Sequence, residues 1–203
     1  MRHRTFALAA ALLAVTVAGC NRKPEQQAQT PAIPAQAIPV PAAVEPTIPV
    51  AAGYHHQPGI DASGYYLSPT SFKVGNYQFT HLAIGAPSDF QTWETGDRTS
   101  TFGPILVAFD DVTSPMAPNE LGGEGHSVTV RVLPDAYSFD AGKMTFKGHD
   151  PKLGEVVFSG AFDQAALAQA RSDGSSGATV LTGDLKVGDA PVRKVSFTYW
   201  VGD

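Results

Sequence analysis

Runs of alternating polar and apolar residues recur through the second half of the chain. In "SVTVRV", Val128, Val130 and Val132 fall on one side, with Ser127, Thr129 and Arg131 on the other. In "RKVSFTYWV", Val195, Phe197 and Tyr199 alternate with Lys194, Ser196 and Thr198. A period of two is that of a half-buried strand. Ile105 to Phe109 are apolar without interruption, which predicts a strand covered on both faces. "NYQFTHLAIG", "GKMTFKG", "GEVVFSGAF" and "TVLTGDLKV" are further candidates, and turn signals such as "VGN", "ETGD" and "DAGK" separate them. Short strands punctuated in this way predict a mainly β domain, an antiparallel β-sandwich or barrel. One stretch departs from the pattern. "DQAALAQARS" predicts a short helix near 163–172, with Asp163 as its N-cap and "SDG" at its stop.

The amino-terminal end reads differently. Met1-Arg2-His3-Arg4 is basic, and "TFALAAALLAVTVAG" after it is uncharged and apolar. That order is the layout of a secretory signal. The apolar run falls short of the ~20 residues that cross a bilayer as a helix. It stops at Cys20, the only cysteine in the chain.

The residues Val17-Ala18-Gly19-Cys20 resemble the lipobox of bacterial lipoproteins. That pattern is roughly Leu, then a small or β-branched residue, then Gly or Ala, then Cys; here Val stands in the first place. The resemblance implies a signal peptide over 1–19, cleaved before Cys20. It also implies acylation, of the palmitate kind, on the Cys20 sulfur and on the new amino group. Two or more acyl chains hold a protein stably on a bilayer, where one binds only marginally. Asn21, in place of an Asp, implies the outer membrane, facing the periplasm. The lipid bilayer is thus the first expected partner, through acylated Cys20.

Residues 20–52 follow as a lipidated terminus and a tether. Proline, alanine and glutamine dominate, and no aromatic residue occurs. Such a composition buries too little apolar surface to fold, and its prolines favour polyproline II. Residues 53–203 are then the single β-rich domain. The chain's formal net charge of −5 becomes −7 once Arg2 and Arg4 are removed with the leader. So acidic a domain is a poor match for nucleic acid, which attracts basic patches; no nucleic-acid partner is expected.

Three stretches could carry chemistry. His55 and His56 are adjacent in "GYHHQPG" and read as a polar loop at the entrance to the domain, because neighbours on a strand point to opposite faces. Asp110, Asp111, Glu120, Glu124 and His126 share a long loop between two strong strands. Hard oxygen ligands in a loop suit Ca²⁺, but their spacing matches no known calcium loop, so no cofactor and no metal is expected. Phe90, Trp93 and Phe102 in "DFQTWETGDRTSTFGP" could offer an aromatic platform for a sugar or a protein; Phe90 and Phe102 are expected in the core, and Trp93 is the one to expect exposed. These acidic residues, His126 and Trp93 form the candidate binding loop. No G-x-S-x-G elbow appears, and no catalytic residue is named. The sequence therefore predicts a membrane-anchored, non-enzymatic lipoprotein that binds a periplasmic protein or has an envelope-structural part, a class that includes inhibitor and immunity types. A β domain that binds a lipid or sugar is the alternative, and a metal-dependent hydrolase built on His55, His56 and the acidic loop comes last.

Overall fold

The computed structural model describes residues 47–118, 122–140, 142–175 and 177–202. They lie in one compact unit, Ala43–Asp203. The chain forms β1 (Tyr54–His56), β2 (Gly64–Leu67), β3 (Lys73–Val74), β4 (Tyr77–Ile84), α1 (Pro87–Glu94) and β5 (Ile105–Asp111). It continues through β6 (Met116–Pro118), β7 (Glu124–His126), β8 (Thr129–Val132), β9 (Pro134–Phe139), β10 (Lys143–Asp150) and β11 (Gly154–Phe162). Then come α2 (Gln164–Asp173), β12 (Leu181–Val187) and β13 (Arg193–Trp200). The domain is mainly β, a curled sheet of the sandwich or half-barrel type with two short helices.

The main sheet runs β1-β9-β10-β11-β12-β13-β2-β4-β5-β8, with β3 beside β4, while β6 and β7 make a separate ribbon. Every ladder is antiparallel except β1 with β9. β8 and β9 stand at or near opposite ends of this order, yet Leu133 alone separates them in the chain. The chain turns the corner of the curl at that residue. Gly148 of β10 lies beneath it: a β-carbon there would meet the Leu133 carbonyl oxygen, and would stand 2.8 Å from Cγ1 of Val132.

The alternation settles which faces are inside. Val195, Phe197 and Tyr199 are buried and Lys194 is exposed. All five residues from Ile105 to Phe109 are buried, as an unbroken apolar run predicts. In β8 the buried pair is Val130 and Val132; Val128 precedes the strand and is exposed. The interior is filled by rings, Tyr66, Phe109, Tyr137, Phe139, Phe146, Phe158 and Phe197 among them, all fully buried. Each contributes about 1.5–3 kcal/mol by leaving water. Glycines make room for them. The Phe158 ring lies against Gly183, where a β-carbon would come within 2.7 Å of Cε2.

The helices cap this core. At α2, Asp163 Oδ1 accepts the Ala166 N–H at 2.9 Å, and Gly174 ends the helix in the left-handed conformation at φ 77°. Leu167 and Ala170 are its buried residues. α1 is a second helix, where the sequence predicted an aromatic loop. Pro87 opens it, the Asp89 carboxylate accepts the Ala86 N–H at 2.8 Å, and Phe90 and Trp93, three residues apart, share its buried face.

Candidate binding groove

The residues singled out from the sequence do not come together at one point. Asp110 and Asp111 end β5. Asp110 Oδ1 accepts the Thr129 hydroxyl at 2.7 Å across the ladder. Asp111 Oδ1 accepts both the Thr113 hydroxyl, at 2.6 Å, and the Thr113 N–H, at 3.0 Å; these bonds hold its carboxyl below the usual carboxylate range. Glu124 and His126 lie on β7, where His126 Nδ1 is 3.2 Å from the Ser114 carbonyl oxygen. Glu120 and Cys20 lie outside the described residues. Among the described residues no three His, Cys, Asp or Glu side chains group as metal ligands. No helix among them is long and apolar enough to cross a membrane.

Three placements correct the reading of the sequence. Phe102, expected in the core, is 51% exposed. Trp93 is not on an exposed loop. It is 6% exposed on α1, with the Arg98 Nε–H donating to its carbonyl oxygen and the Tyr54 ring edge-on at 6.3 Å. A helix put it three residues after Phe90, and the core took both. His55 and His56 are not a loop but part of β1, paired with Ser138 and Phe139. His55 is exposed. His56 is buried, its ring stacked on Phe90 at 4.1 Å and on Phe139 at 5.4 Å, with Nε2 3.1 Å from the Ile60 carbonyl oxygen. An imidazole so enclosed acts as a core ring with one satisfied polar edge.

A different feature is formed where one ladder stops. β13 pairs with β12 from Arg193 to Phe197, but with β2 only from Thr198 to Trp200. Continuing the β2 register would set Pro69 opposite Ser196. Proline has no N–H to give to a ladder. The chain turns away instead: the Ser68 hydroxyl donates to the Thr70 carbonyl at 2.8 Å, and the Phe72 carbonyl accepts the Phe79 N–H at 3.1 Å. Phe72 then stacks on Phe79 with centroids 4.9 Å apart. A seam opens between segment 68–72 and the first half of β13.

The seam holds a gap of about 170 Å³ bounded by Ser68, Thr70, Phe72 and the run Arg193–Ser196. At Phe72 and Arg193 it meets a wider groove of about 430 Å³, reaching Lys73, Val74, Leu185, Val187 and the turn Ala190–Val192. Phe72, Leu185 and Val187 are core residues, so the groove touches the edge of the apolar interior. Its rim is cationic. Lys73 and Arg193 are exposed and have no carboxylate partner among the described residues. The Arg193 guanidinium stands 5.0 Å from the Phe72 ring centroid. Lys194, beside them, is bound to Asp184 at 2.9 Å. No histidine or carboxylate lines the groove or the gap. The lining can offer apolar contact, main-chain groups, hydroxyls and positive charge. The sequence reading found β13 but missed this groove, although "LSPTSF" beside a strand opening on Arg-Lys carried the signal.

Comparison with protein-family models, curated proteins and solved structures finds no match for this chain.

Proposed function

We propose that the protein is a lipid-anchored lipoprotein facing the periplasm, whose β domain is a non-enzymatic protein-binding module. The leader that stops at Cys20 supports the anchor, and the proline-rich segment to residue 52 supports a tether. The binding half rests on one observation: a groove with an apolar floor and a rim of Lys73 and Arg193, on a chain that is acidic as a whole. Local charge opposite to that of the whole molecule selects and orients an acidic partner.

Two measurements test this. Cys20→Ser should move the protein from the membrane to the soluble fraction; unchanged sedimentation with membranes overturns the anchor. In-cell cross-linking from Lys73 should yield a stoichiometric protein adduct that Arg193→Glu reduces, and the absence of such an adduct overturns the binding role. The groove's volume favours a second reading. At about 430 Å³ it lies in the ~300–1,000 Å³ range of small-ligand sites, and an amphipathic anion would suit both floor and rim. Native mass spectrometry that finds retained cargo, lost in Arg193→Glu, would favour that reading.

A further inference from the structure

We propose that the free edge of β13 takes up an extended acidic peptide as an added strand. This rests on the protein-binding reading above and names the partner's chemistry and its mode of attachment.

The argument begins with the main chain. The Phe197 carbonyl accepts the Val180 N–H at 2.8 Å, on the β12 side of the strand. Main-chain groups of an antiparallel strand point to its two sides in alternation. Those of Lys194 and Ser196 therefore point the other way, into the seam. Among the described residues no backbone hydrogen bond joins them to segment 68–72. An unpaired row of N–H and C=O groups is a template for another strand. Pro69 keeps this chain's own β2 from occupying it.

Side chains give the specificity. An added strand places alternate side chains on opposite faces. Those turned inward would meet Phe72 and Leu185, so they are apolar. Those turned outward would pass Arg193 and Lys73, exposed cations with no acidic partner among the described residues. An extended segment alternating apolar residues with Asp or Glu satisfies both faces.

The test uses the full-length lipidated protein in detergent and short synthetic peptides that alternate valine with glutamate. Controls are the valine–lysine counterpart and a glutamate peptide N-methylated on the amides that would face β13. Binding is read by fluorescence anisotropy, and the site by amide hydrogen exchange over residues 193–197. The glutamate peptide should bind about tenfold more tightly than the lysine peptide, slow exchange in 193–197, and lose binding when N-methylated. Arg193→Glu should reverse the charge preference without touching the fold. Ser196→Pro, which removes an N–H only on the open side, should abolish binding. No binding, unchanged exchange at 193–197 under saturating peptide, or equal affinity for the N-methylated copy each overturns strand addition. So does self-association through this edge, detected by sedimentation and lost in Ser196→Pro. If the cross-link from Lys73 survives while exchange at 193–197 does not change, strand addition fails and the binding role stands.

Discussion

Gly148→Ala probes the closure of the curl directly. Gly148 sits in β10 opposite Val156 of β11, beneath the corner where β8 becomes β9. A single methyl at this position would overlap the Leu133 carbonyl oxygen, and would come within 2.8 Å of Cγ1 of Val132 and 2.9 Å of Cζ of Phe146. Val132 and Phe146 are both fully buried. The ring could shift by a few tenths of an ångström, but the carbonyl belongs to the backbone of the corner itself. Overpacking a core costs about 1–3 kcal/mol, and a backbone obstacle puts this case near the upper end. For a domain of this size that amounts to a fall of about 4–10 °C in Tm. Gly125→Ala is the control, since nothing stands within 4 Å of its added methyl; it should stay within about 0.5 kcal/mol of the parent. The assay is thermal unfolding followed by far-UV circular dichroism, with refolding checked on cooling. A Gly148→Ala protein that melts within about 1 °C of the parent would refute the close approach of the corner to β10.

Two smaller perturbations test other joints. Asp163→Ala removes the acceptor for the Ala166 N–H at the start of α2, and should cost about 1 kcal/mol in urea unfolding with an unchanged m-value; no loss would mean that the cap is idle. His81 is held below its ordinary value of 6.5, first by burial and then by Arg131, against the opposing pull of Asp110. Its folded form therefore binds protons less readily than the unfolded chain. The stability linked to it is fully present above pH 6.5 and declines as pH falls through the lowered folded value. His81→Gln should flatten that part of a plot of Tm against pH, and an unaltered slope would rule the linkage out.

The strands that the sequence announced are those in which pattern and burial agree. β8, β10 and β13 were legible from their period, β5 from its unbroken apolar run, and β4, β11 and β12 as apolar stretches set between turn signals. β1, β2, β3, β6 and β7 are two to four residues long and lie in no longer run of alternating apolar residues, and they exist through the partners that pair with them. β9 was hidden for another reason. It begins on Pro134, directly after β8, so a single run of sequence supplies strands to both ends of the sheet. α1 was missed because "DFQTWE" was read for its rings alone, Phe90 as core and Trp93 as display. Pro87 at the first turn and Asp89 two residues later carried the helix signal, and the spacing of Phe90 and Trp93 gave its buried face. The acidic stretch was read from composition as one binding loop, but its described residues divide between β5 and β7, and Asp110 and Asp111 bind Thr129 and Thr113, their own neighbours in the fold.

Packing and the groove have a common origin. Aromatic side chains fill the curl so fully that Tyr66, Tyr137, Phe139, Phe146, Phe158 and Phe197 have almost no exposed surface. A core in this state has little room to receive a guest without rearranging rings, and rearrangement carries the cost of overpacking. Recognition is then left to the wall. There a single residue matters most, because Pro69 falls at the one register position where β2 would have closed against Ser196. Replacing it with threonine restores a donor and a strand-favouring side chain. If the seam exists because that N–H is missing, Pro69→Thr should extend the β2–β13 ladder, slow amide exchange at Lys194 and Ser196 in the free protein, and weaken peptide uptake. If exchange there stays fast, the seam is set by the stacking of Phe72 on Phe79 rather than by the proline, and Phe72 becomes the residue that shapes the site.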